Sequence, residues 1–109
     1  MAIDFGSAIE TIKSGIIALG KTAGATELTQ LQTAAQGTAD AIKADMVTWT
    51  GQLTSGGINA EQLKFLIASE DEYFQITALT QAGIALAQMD ALKAGIANLI
   101  VKTLTSLIP

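Results

Sequence analysis

Glu70, Asp71 and Glu72 are the densest run of potentially reactive side chains in the sequence, and the chemistry such a run suggests is metal binding. Successive residues of a helix point about 100° apart, so three adjacent carboxylates cannot converge on one ion. An acidic first turn, favoured by the helix dipole, accounts for them better. Asp90 and Lys93 stand among apolar neighbours and would matter as a buried ionisable pair. A desolvated catalytic lysine needs a pocket, and no residue pattern marks one here. The pair reads instead as one of four acid-x-x-Lys pairs, with Glu10/Lys13, Asp40/Lys43 and Glu61/Lys64. Each sets opposite charges three apart on a helix face.

The chain contains no Cys, His or Arg. Missing Cys removes thiolate nucleophiles and thiolate metal sites. Missing His removes the commonest general base and metal ligand. Missing Arg removes bidentate recognition of phosphate and guanine. A net charge of −4 also works against nucleic acid, whose phosphates supply most of the binding energy. No catalytic residue, metal, cofactor, small-molecule substrate or nucleic-acid partner is therefore expected, and the chain reads as non-enzymatic.

The elements that would carry any function are helices. Phe5, Ile9, Ile12, Ile16, Leu19 and Ala23 alternate steps of four and three, and so do Leu28, Leu31, Ala35, Thr38 and Ile42, continued by Met46, Trp49 and Leu53. Ala78, Ala82, Ala85, Met89, Leu92, Ile96 and Leu99 form a third such seam. This spacing keeps one stripe of each helix against a neighbour. Helices are predicted over about 7–21, 27–54, 60–68 and 70–107, in one all-α domain spanning 1–109: an antiparallel hairpin or three-to-four-helix bundle with a long C-terminal helix. The punctuation supports these limits. Ser7/Glu10 and Ser69/Glu72 read as capping boxes, with Asp4 as a competing cap for the first helix, and Thr26 as an N-cap. Gly20 and Gly24 favour a stop, and Ser55-Gly56-Gly57 a break. Asn59 and Gln62 read as an N-cap and its N3 partner, with Ile58 and Leu63 as a hydrophobic staple.

Half of the residues are hydrophobic and 15% are charged. At 11.2 kDa a compact domain exposes about 5,700 Å². A rod of long helices would expose more, so surplus apolar surface is expected to be covered by other copies, a partner or lipid. The residues expected at helix–helix interfaces are Ile9, Ile12, Ile16, Leu19, Leu31, Ile42, Trp49, Met89, Leu92, Ile96 and Leu99. To these is added the small-residue stripe Gly83, Ala87, Ala91 and Gly95, whose four-residue steps allow close backbone approach. The apolar tail of the last helix (residues 94–108) is the candidate contact with an oligomer core or a membrane, through Ile100, Val101, Leu104, Leu107 and Ile108.

Trp49-Thr50-Gly51, near the middle of the chain, resembles the Trp-x-Gly turn of a family of small, leaderless, secreted helical hairpins. The chain departs from that pattern: its turn lies six residues further on, and Tyr73 lacks the acidic partner of the family's export signal. The C-terminal half is similar in layout to the needle and rod subunits of type III secretion, without their proline-containing turn. The first resemblance implies a secreted helical hairpin without a leader, and the second a hairpin subunit whose C-terminal helix lines a filament. The expectation is thus self-assembly through heptad-like faces, as a homo-oligomer, filament or secretion-related assembly. The alternatives are a membrane-active or pore-forming protein and a small partner-binding adaptor. The N-terminus lacks the features of a secretory signal, which implies a cytoplasmic protein or export without a cleaved leader. No uncharged stretch reaches the length of a conventional transmembrane span.

Overall fold

Asp4 opens the first helix: its Oδ1 accepts the Ser7 amide at 2.9 Å, and α1 runs Phe5–Thr22. Ser7 and Glu10 do not form the expected capping box, because the carboxylate three residues before Ser7 already satisfies the free donor. The computed structural model of the chain describes residues 4–108. It continues with α2 (Leu28–Ser55), α3 (Ala60–Ser69), a single 3₁₀ turn (Asp71–Tyr73), α4 (Ile76–Gln81) and α5 (Leu86–Ser106). The protein is all-α. The Asn59–Gln62 box is present in both directions, at 2.8 and 2.9 Å. Glu27 rather than Thr26 precedes α2, and no side chain caps it.

Three helices close in the same way. Ala25, Gly57 and Ile84 each donate to the carbonyl five residues back, and Gly24, Gly56 and Gly83 to the carbonyl three back. This is the Schellman closure, with glycine in the left-handed position. Gly83 has φ of +107°, and Leu79 and Ile84 are both buried beside it.

That third closure corrects the expected helix over 70–107. The chain breaks after Ser69, whose hydroxyl donates to the Leu66 carbonyl rather than capping a new helix. It breaks again at 82–85, where Gly83 ends α4. The seam Ala78–Ala82–Ala85 is therefore not continuous with Met89–Leu92–Ile96. Ala85 is exposed, while Ile84, outside the seam, is buried.

The helices form four columns. Gly20 lies against the Leu31 side chain, joining α1 and α2 as an antiparallel hairpin. α5 runs antiparallel to α1, with Gly15 facing Leu99 and Gly95 facing Leu19. Residues 60–82 make a broken fourth column. It starts on α5, where Ala60 and Lys64 share a groove with Val101 and Thr105. It then crosses to α2: the Tyr73 hydroxyl reaches Asp45, Gln75 covers Gly37, and the Ala82 carbonyl accepts the amides of Thr26 and Glu27 at 2.8 and 3.0 Å.

The columns enclose one core, centred on Ile12, Ile16, Leu31, Ile42, Met46, Leu63, Ile67, Ile96, Ile100 and Leu104, all under 2% exposed. The surface exposed is 5948 Å², close to the compact value, within dimensions of 40 × 23 × 20 Å. The expected surplus is thus much smaller than composition suggests. Breaking the last helix folds the rod back on itself. Many of the hydrophobic residues are also alanines, which add little apolar area when they face water.

Candidate functional site

The predicted interface residues are largely consumed inside this one chain. Ile12, Ile16, Leu31, Ile42, Trp49, Met89, Leu92 and Ile96 are buried in the core, and Ile9, Leu19 and Leu99 sit half-buried at its edge. Ile100, Val101 and Leu104 are buried as well, because α3 lies across the C-terminal half of α5. Of the five tail residues expected to contact an oligomer core or a membrane, Leu107 and Ile108 remain partly open.

The small-residue stripe is divided. Gly83 is not on the helix at all but in the turn before it. Gly95 lies at the α1–α5 contact, where an added Cβ would stand 3.7 Å from Leu19. Ala87 and Ala91 face outward, uncovered. Beside them a shallow cleft of about 200 Å³ runs between the end of α1 and the start of α5, lined by Leu19, Thr22, Ala23, Gln88, Ala91 and Leu92.

The charged groups also pair differently from their spacing. Among the described residues only Glu10/Lys13, at 3.3 Å, forms one of the four expected ion pairs. Lys93 turns away from Asp90 to bond Asp71, and its ammonium stands 5.8 Å from the centre of the Phe74 ring. Asp40 accepts instead from Gln36 at 2.9 Å. The acidic run is thereby separated: Asp71 is tied to α5, while Glu70 ends α3 and Glu72 is exposed. Among the described residues no group of three or more acids is placed to hold a metal ion.

The most organised polar contact joins the broken column to α2. The Tyr73 hydroxyl donates to Asp45 Oδ2 at 2.9 Å, and its ring meets Trp49 edge-on, with centroids 5.5 Å apart. Burial pushes the Tyr73 phenol up to about 12, assisted by the bond to Asp45 and the charges of Asp45, Glu70 and Glu72. The arrangement fastens the chain where α3 gives way to α4. It holds no proton ready for transfer near neutral pH.

Five large apolar side chains remain accessible among the described residues. Phe65 is 76% exposed, Leu86 73%, Val47 59%, Leu28 47% and Leu66 39%. Periodicity could have located Phe65: it stands two residues from both Leu63 and Ile67, on the opposite side of α3 from the core. Leu86 and Leu28 sit at the same end of the molecule, where the α4–α5 turn bonds the start of α2. No helix among the described residues is long and apolar enough to cross a membrane. Comparison with protein-family models, with curated proteins and with solved structures finds no match.

Proposed function

We propose that this chain is a non-enzymatic helical subunit that works by associating with further copies of itself, through the start of α5 rather than through its heptad seams. The observation that carries the reading is the exposure of Leu86, Ala87 and Ala91 at the start of α5, where Ala91 lines the cleft against α1. Small residues at four-residue spacing let a second helix approach closely, and Leu86 offers a large side chain to bury at its edge. Lys21 at the end of α1, Glu27 before α2 and Asp90 in the first turns of α5 are of mixed sign, so a two-fold contact here opposes no block of like charge. A patch of so few side chains favours weak, concentration-dependent association. A two-fold contact closes as a dimer, whereas a head-to-tail contact closes into a ring or runs on as a filament.

Membrane contact through residues 94–108 is the less favoured reading, since Ile96, Ile100 and Leu104 would first have to leave the core. Sedimentation velocity across the micromolar range tests the proposal. The wild type should shift to faster species as concentration rises, and Leu86→Asp with Ala91→Glu should stay monomeric. A wild type that is monomeric throughout overturns it.

A further inference from the structure

A second surface differs in chemistry and does not depend on the self-association reading. α3 is anchored by Leu63 and Ile67, which are fully buried, and it turns Phe65 and Leu66 outward. A single exposed leucine needs no explanation, but an aromatic ring 76% exposed beside a second apolar side chain is an unpartnered face. Its rim is acidic. Glu61 lies one turn before Phe65 on the helix, Glu70 follows directly as the C-cap of α3, and Glu72 is in the 3₁₀ turn after it. Residues 60–73 hold Glu61, Glu70, Asp71 and Glu72 against Lys64 alone, four acids less one base, or −3 of the chain's −4. Asp71 is neutralised by Lys93, and among the described residues Glu61, Glu70 and Glu72 make no ion pair.

We propose that the outer face of α3 docks a cationic amphipathic helix of a partner protein, its apolar stripe on Phe65 and Leu66 and its lysines or arginines on Glu61, Glu70 and Glu72. Charge selects this occupant. A second copy meeting the face across a two-fold axis would return the same acids against themselves. An anionic lipid surface would be repelled in the same way. A basic helix satisfies both the ring and the rim, in the helix-on-apolar-face mode.

The probe is a fluorescein-labelled amphipathic peptide of leucine and lysine, read by anisotropy against the full chain at low salt. Saturable binding is expected, weakening as salt rises. Phe65→Ser should reduce affinity at least about tenfold through lost apolar contact. Glu70→Gln with Glu72→Gln should reduce it several-fold, and Leu86→Asp should leave it unchanged. Because all four side chains are exposed, each variant should keep the wild-type circular dichroism. Several results would overturn the proposal: no saturable binding, equal binding by Phe65→Ser, or equal binding of a leucine/glutamate peptide. Flotation of the wild type with phosphatidylglycerol vesicles would also do so, as would self-association abolished by Phe65→Ser.

Discussion

Tyr73 is the only tyrosine in the chain, so absorbance at 295 nm during an alkaline titration reads this one phenol directly. Its ionisation should centre near 12 in the folded protein and near 10.0 in denaturant. The leading cause is burial, followed by donation to Asp45 and the negative charges of Asp45, Glu70 and Glu72. The folded chain therefore holds the phenolic proton more tightly than the unfolded chain. The resulting stability is fully present below pH 10 and is lost as pH rises through 12. Two pKa units correspond to at most about 2.7 kcal/mol. The ring is partly open to water, and screening brings the expected loss nearer 1 kcal/mol. Asp45→Asn removes one charge and weakens the acceptor, so the midpoint should fall toward 10.0. At neutral pH that variant and Tyr73→Phe should each lose roughly 1 kcal/mol in urea unfolding. Trp49 fluorescence serves as the check that the fold persists during the titration, since its ring contacts Tyr73. A native midpoint at the ordinary tyrosine value, or one unmoved by Asp45→Asn, would refute this account of the α2 contact.

Three further outcomes follow from packing and backbone geometry. Ile96→Ala empties a fully buried site at the centre of α5 and should cost about 2–5 kcal/mol in urea unfolding. Gly83→Ala places a side chain at φ +107°, with its Cβ 2.9 Å from Thr26 Oγ1, and should cost about 1–2 kcal/mol in the same assay. Asn59→Ala removes the acceptor for the Gln62 amide and should lower stability by about 1 kcal/mol, read from the thermal midpoint.

Local signals read well wherever one short interaction settles the backbone. Asn59 and Gln62 marked the start of α3, and Gly24 and Gly56 the ends of α1 and α2, because capping and left-handed closure involve only residues within one turn. The same signal stands at Leu79…Gly83-Ile84, a glycine followed by a large apolar residue, with a second one four places before it. It was obscured because Gly83 also fits a small-residue stripe, and a four-residue spacing does not say whether the helix is continuous. Ser7 and Glu10 failed for the opposite reason: Asp4 offered a competing acceptor for the same donor.

The amino-acid sequence by itself determined that the chain is helical, where most helices start and stop, and that the seam Leu31, Ala35, Thr38, Ile42, Met46 and Trp49 faces inward, since periodicity and capping are properties of neighbouring residues. It could not decide what covers each face. Ile100, Val101 and Leu104 are equally apolar whether lipid, another subunit or α3 lies on them. Only the path of the broken column, folded from α5 across to α2, buried them within this chain and left Phe65 and Leu86 outside. Lys93 shows the same division: its spacing favours Asp90, but the fold brings Asp71 and the Phe74 ring to it from another column.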